Sequence, residues 1–290
     1  MRSLQKSCEW MSIDRGRAAQ YKKLIREFFE EDKRSREHIL AYSESCEIID
    51  IHELWEAPIN NFPGLGRKIK AVFSKGPILR EDENPDTSTN KPRNDAFSYL
   101  LAGKLIRAGL KVVAVDGTVA QGANAHKDAD ITFEWSESPI DIECKRPQTQ
   151  NALTERVKEA CRQLTNPNRQ GRMGIIAIDC SAFVRPPEQL LGAESAEDAE
   201  RFLAHSLGKA IIPKAKISLE SAILGFLMFA RAPAMVQAGH SSIVSPHGNP
   251  FTYIRPECIS TWLVIPNFKS LGPNVLRFVF EQLKRVIHAS

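Results

Sequence analysis

Between residues 95 and 180 the spacing of apolar positions changes period several times, and each change predicts an element. DAFSYLLAGKLIRAGL, from Asp95, carries apolar residues at helical spacing, with Asn94 or Asp95 as N-cap and Gly109 near the stop. KVVAVDG at 111–117 is a short β-rich run ending in Asp-Gly. Strict alternation follows in ITFEW and PIDIECK. In the first of these, Asp128, Asp130, Thr132 and Glu134 share a face opposite Ile131, Phe133 and Trp135. In the second, Ile140, Ile142 and Cys144 oppose Asp141, Glu143 and Lys145. Ser136-Glu137-Ser138 is a connection short enough for a hairpin. NALTERVKEACRQLT at 151–165 returns to the helical period, with Leu153, Val157, Ala160 and Leu164 on one face. GIIAIDC at 174–180 is a continuous apolar run, the pattern of a central strand covered on both sides.

Outside this stretch, residues 14–45 read as one helix with a stripe of Tyr21, Leu24, Ile25, Phe28 and Phe29, and Pro58 with Asn60-Asn61 breaks the pattern further on. FPGLG at 62–66 has the look of a DNA-contacting hairpin between two helices, and reads more simply as a turn before a helix. Residues 76–94 hold Pro77, Pro85 and Pro92 with an acidic run and no period, which predicts a linker. SAEDAERFLAHSLG predicts a helix capped by Ser195, ILGFLMFAR at 223–231 and STWLVIP at 260–266 predict buried strands, and PNVLRFVFEQLKRVI predicts a closing helix. The fold class is α/β: a helical N-terminal region over 1–75, a linker over 76–94, and a domain over 95–290 built on a mixed sheet flanked by helices.

Composition narrows the class. A chain of 290 residues, 42% hydrophobic and 26% charged, can bury a sizeable core without staples. Its six cysteines (8, 46, 144, 161, 180, 258) form no CxxC pair, which reads as reduced thiols and a cytoplasmic location. Cys144 and Cys180 lie in apolar runs and read as small core residues. The first ten residues lack the apolar stretch of a signal peptide, and no run approaches the ~18 apolar residues of a membrane span. A net charge of +4 is mild, yet residues 143–172 alone carry seven Lys/Arg against three Glu, an excess equal to that of the whole chain. A polyanionic partner fits that distribution.

The chemistry centres on the alternating pair. Pairing through the 136–138 turn brings Asp130 toward Glu143. Two carboxylates brought close repel unless a cation lies between them or one keeps a proton. Oxygen ligands suit Mg2+ or Mn2+. Lys145, on the same face as Glu143, is placed to hold a water or to neutralise charge growing on a phosphate. The plainer reading of the same alternation is the solvated face of an edge hairpin.

Asp130 followed by Glu143-Cys144-Lys145, with this order of helix, hairpin, helix and buried strand, resembles the PD-(D/E)XK nuclease superfamily, whose core is the restriction-endonuclease-like fold. The resemblance covers residues 95–180, about a third of the chain. Ala129 stands where the motif has proline, and Asp95 is the nearest carboxylate to the glutamate many members carry on the first core helix. What the resemblance implies is a Mg2+- or Mn2+-dependent nuclease with Asp130, Glu143 and the Cys144 carbonyl as metal ligands and Lys145 as the catalytic lysine. Gln163 matches a glutamine that some branches carry on the helix after E-x-K, without the tyrosine that follows it there. It further implies DNA in preference to RNA, products with a 5′-phosphate and a 3′-hydroxyl, a role in restriction, repair or phage defence, and compatibility with a homodimer. Arg146, Arg156, Lys158 and Arg162 are the candidates to grip phosphates, and pairing of the helical ones with Glu155 and Glu159 is the alternative. The competing functions are a non-catalytic nucleic-acid-binding or assembly protein that keeps the fold, and a small-molecule phosphohydrolase. His126 and Asp128 are read as loop residues beside the site, Asp179 as a cap of the next turn, Trp135 and Trp262 as core aromatics, and His240 and His247 carry no role.

Overall fold

A computed structural model describes residues 2–79, 82–83, 91–123, 128–169, 171–185, 189–211, 219–244, 250–267, 269–270 and 272–287. His126 and His247 lie outside the described residues, as does the side chain of His240. Four helices come first: α1 (Arg2–Trp10), α2 (Arg17–Glu30), α3 (Arg36–Trp55) and, after a 3-10 turn at Pro58–Asn61, α4 (Leu65–Ser74). The single helix expected over 14–45 is therefore two. α2 stops at Glu31, Asp32 takes a left-handed φ of 52°, and α3 starts after Ser35. Of the expected stripe, Tyr21, Ile25 and Phe28 are buried while Phe29 is exposed.

The next helix, α5 (Lys91–Arg107), opens one turn before Asn94, so neither Asn94 nor Asp95 caps it. Pro92 sits in its first turn, where a missing N–H costs nothing. Then follow β1 (Lys111–Val115), β2 (Thr118–Val119), β3 (Ile131–Trp135), β4 (Ser138–Lys145), α6 (Gln150–Leu164), β5 (Met173–Asp179), α7 (Ser181–Val184), β6 (Leu191–Ala193), α8 (Ala196–Ile211), β7 (Ile223–Val244), β8 (Pro250–Pro266) and α9 (Pro273–Ile287). Among the described residues the strands make one mixed eight-stranded sheet in the order β2-β1-β3-β4-β5-β7-β6, with β8 paired to β7. β1, β3 and β4 are successively antiparallel, and β5 returns through α6 to lie parallel to β4. β7 and β8 run well past the apolar segments 223–231 and 260–266, because each completes the other's ladder along its length.

Apolar residues of the sheet divide between its two faces. Ile175 and Ala177 of β5 join α5, α9 and the N-terminal helices, whereas Ile176 and Ile178 join α6 and α8. The first cluster runs continuously from Leu4 to Leu283, so residues on both sides of the 76–94 segment share one core. No helix among the described residues is long and apolar enough to cross a membrane.

Three local features hold the candidate site. The hairpin between β3 and β4 turns on Ser136 and Glu137, both at positive φ (46° and 67°), the conformation whose twist matches the flanking strands. Thr149 caps α6 by accepting from the Ala152 N–H, and Leu153, Val157, Ala160 and Leu164 form its buried face. Gly174 lets that helix down onto β5, since a Cβ there would lie 2.7 Å from Leu164 Cδ2.

Candidate active site

The polar face of β4 is not wet. Asp141 and Glu143 are each only 1% exposed, because β4 lies between β3 and β5 and is covered by α6 and the segment after it. The solvated edge hairpin is thus excluded by burial. Each acid has an arginine from residues 166–172: Arg172 Nη2 stands 2.6 Å from Asp141 Oδ1, and Arg169 Nη1 stands 2.9 Å from Glu143 Oε1. Thr132 Oγ1 also donates to Asp141, at 2.8 Å. Asp141 is accordingly a structural acid, while Glu143 has further neighbours.

Ile131 pairs with Ile142 in the hairpin register, so one step on Asp130 lies opposite Glu143. Asp130 Oδ2 accepts the Cys144 N–H at 2.7 Å, which locks the carboxylate to the strand that carries Glu143. Lys145 Nζ lies 3.6 Å from Glu143 Oε2, donates to Gln163 Oε1 at 2.6 Å, and lies 3.5 Å from Glu159 Oε1. Four of the expected residues, Asp130, Glu143, Lys145 and Gln163, therefore form one connected group. Cys144 takes part through its main chain; its side chain is half-buried, and desolvation raises the thiol pKa.

Burial raises the Asp130 carboxyl above its usual range against the Cys144 N–H and Lys145, which pull it down; Asp116 adds to the rise. Glu143 is pushed up to about 7, first by burial and then by Asp130, with Lys145 and Arg169 opposing. Two desolvated acids in each other's field are held short of full ionisation.

Asp116 was read only as half of an Asp-Gly turn, yet it belongs to this neighbourhood. Val115 pairs with Ile131, and the Asp116 N–H donates to the Asp130 carbonyl at 2.7 Å. Its carboxylate is held by Tyr99 Oη at 2.8 Å and Lys68 Nζ at 3.0 Å. Asp95 is paired with Lys91 at 2.7 Å, and its pKa is raised by burial, with Asp116 and Asp130 adding to the rise. Arg169 is the other residue sequence reasoning missed in this role. It counted only toward a basic window, whereas its guanidinium bridges Glu143 and the Asp128 carbonyl.

The proposed phosphate grip divides. Arg146 is a correction: its side chain is buried, 3.1 Å from Glu47 and 2.8 Å from Asp179, so it faces the core and not a ligand. Arg156, Lys158 and Arg162 are exposed on α6. Arg156 pairs with Glu159 and Lys158 with Glu155, at 2.8 and 2.9 Å. Asp179 also accepts from the Ser181 N–H at 2.9 Å, the capping role expected of it. Trp262 is buried against Phe229, and Trp135 packs on Phe278. Asp128 is exposed.

Among the described residues no group of three or more His, Cys, Asp or Glu is arranged to hold a metal ion, in keeping with Asp95 and Asp116 each having a lysine of its own. What remains is a pair, Asp130 and Glu143. Two hard carboxylate oxygens suit Mg2+, which commonly takes one or two carboxylates and keeps several waters. The raised pKa of both acids is the electrostatic state a cation would relieve. No family model, curated protein or solved structure matches this chain.

Proposed function

We propose that the protein is a metal-dependent nuclease of the PD-(D/E)XK type, hydrolysing phosphodiester bonds in DNA in preference to RNA. The observation that carries the reading is the convergence of Asp130, Glu143, Lys145 and Gln163 across two paired strands and the following helix. The order β1-β3-β4-β5, antiparallel twice and then parallel through a helical crossover, supports a restriction-endonuclease-like core. Arg156 and Lys158 are paired on α6 with Glu159 and Glu155, the alternative to a phosphate grip, and exposed Arg162 is what supports a polyanionic substrate.

In this reading Asp130, Glu143 and the Cys144 carbonyl hold Mg2+ or Mn2+. The cation supplies Lewis-acid charge at the phosphoryl oxygen and an acidified water. Asp130 is kept in place by the Cys144 N–H, and Glu143 by Arg169. Gln163 and Glu159 orient Lys145, whose ammonium hydrogen-bonds the attacking water or the phosphate oxygen on which charge grows.

The test is incubation with single- and double-stranded DNA and RNA in Mg2+, in Mn2+ and in chelator. Cleavage should require the metal and favour DNA. Lys145→Ala should lower the rate by about 10²–10⁴-fold while leaving nucleic-acid binding largely intact. Cleavage that persists in chelator would sink the mechanism. Binding without any cleavage would favour the non-catalytic nucleic-acid-binding protein.

A further inference from the structure

A cavity of about 460 Å³ opens between α3, α5, α8 and the β7–β8 ribbon. It is separate from the nuclease-like group. Lys104, which lines it, stands nine residues after Asp95 on α5, roughly 14 Å along the helix axis. We infer that this cavity is a second binding site, for a small molecule bearing a single oxyanion group, with Lys104 and Arg231 as its inner cations.

Two observations carry the inference. Lys104 is 7% exposed and Arg231 6%, and both line the cavity. The Lys104 side chain lines the cavity, and its charged neighbours Asp50, Arg231 and Arg107 act on it through space with no hydrogen bond to it among the described residues. Arg231 is held by Asp50 through Nη2 and by the Phe229 ring, 5.8 Å from its guanidinium carbon, so it adds fixed positive charge to the wall while Lys104 is the cation left for a ligand. A largely buried cation without a protein partner is a group that an anionic ligand can pair with. Burial pushes the Lys104 pKa down; Asp50 opposes this, while Arg231 and Arg107 add to it, so the cations repel one another across the space.

The acids of the lining set the size of the anion. Asp50 is committed to Arg231, and Glu257 to Arg255 at 2.5 Å. Glu53 and Glu197 are exposed and Glu200 is half-buried, whereas Lys104 and Arg231 are buried, and the lining carries five acids against three cations. A lining with so few free cations cannot neutralise a polyanion and has room for one charged group at Lys104, so the cavity is no extension of a nucleic-acid path. Its volume falls in the range of small-molecule sites.

The proposal is independent of the nuclease reading, and the test keeps the two apart. Inorganic phosphate and, separately, acetate are titrated into the full chain by calorimetry and by melting temperature, against chloride at equal ionic strength. Phosphate or acetate should raise the melting temperature above chloride by more in the wild type than in Lys104→Met, the difference excluding the general stabilisation that such salts give. Whichever anion is more effective identifies a phosphoryl or a carboxylate ligand. Lys104→Met, which keeps the length of the side chain, should weaken binding at least about tenfold. Lys104→Arg should keep it, and Lys145→Ala should leave it unchanged. Equal melting temperatures in phosphate, acetate and chloride would overturn the site, as would undiminished binding by Lys104→Met or loss of binding in Lys145→Ala.

Discussion

Glu44 and Glu47 on α3 are buried nearly as deeply as Glu143 on β4, yet the two regions handle their charge in opposite ways. Glu44 meets Arg93 Nε at 2.5 Å, accepts from Tyr21 Oη at 2.5 Å and has Arg17 at 3.7 Å. Glu47 and Asp179 share Arg146. Here guanidiniums meet the acids from several sides, and the network ties α2, α3 and α5 to the ends of β4 and β5. At the hairpin, by contrast, acids crowd together. Glu143 has Arg169 and Lys145 but also Asp130 in its field, and beyond Asp130 stand Asp116 and Asp95. The first region holds the fold together with matched charge. The second keeps two desolvated acids, Asp130 and Glu143, side by side at one end of the sheet with their pKa values raised, and such perturbed acids are the ones that read as functional.

The sharpest way to break this comparison is to remove one cation from each side. Arg146→Ala leaves Glu47 and Asp179 buried without their shared guanidinium, and should cost about 3–5 kcal/mol in urea denaturation. Lys145→Ala, at the last residue of β4 just before Arg146, should change stability by no more than about 1 kcal/mol, since Glu143 keeps Arg169 and can take up a proton near neutrality. Equal losses would mean that Lys145 is a structural ion like its neighbour.

Adjacent residues with such different fates also mark how far sequence reading reaches. The alternation of Ile140, Ile142 and Cys144 put Asp141, Glu143 and Lys145 on one face, and the hairpin turn brought Asp130 opposite Glu143; both are local relations, two to thirteen residues apart. Gln163 was legible only through the resemblance, which places a glutamine on the helix after E-x-K; the structure brings it to 2.6 Å from Lys145 Nζ. Arg146 was misread because its partners are far away in the chain: Glu47 lies 99 residues before it. Arg169 and Asp116 escaped for a similar reason. Each sits at a turn, where neither period of two nor of 3.6 applies, and each acquires its partner only when the sheet assembles. The break at 31–35 and the length of β7 were equally hidden. A charged run gives no periodic signal there, and the polar half of β7 is a strand only because β8 pairs with it.

A second comparison is one of pH. Glu143 has a folded pKa of about 7 against an ordinary 4.5, so the folded protein binds this proton more tightly than the unfolded chain does. The contribution of Glu143 to stability is then fully present below about 4.5 and is lost as pH climbs through about 7, by roughly 3 kcal/mol once the proton is gone. In chelator, urea midpoints of the wild type should decline between pH ~5 and pH ~8 more steeply than those of Glu143→Gln, which lacks the group. Adding Mg2+ should flatten the wild-type decline, because a bound cation favours the ionised pair. A variant that tracks the wild type at every pH would place Glu143 among the matched acids of α3.

The smallest effect separates the arginines by exposure. Each phosphate contact that a cation makes to duplex DNA contributes about −0.9 to the slope of log affinity against log salt. Arg162 is exposed on α6, whereas Arg146 is enclosed by Glu47 and Asp179. On the helix, Arg156 shares a row with Glu159 and Gln163, the residues that meet Lys145, while Arg162 stands about 100° round from Gln163. A duplex laid across the site would therefore meet Arg156 before Arg162. Arg156→Gln should make the slope shallower by nearly one unit, and Arg162→Gln by less. Arg146→Lys, which keeps the buried charge, should leave the slope as it is. A slope that responds to Arg146→Lys but not to Arg156→Gln would reverse the assignment of buried arginines to the fold and exposed ones to the ligand.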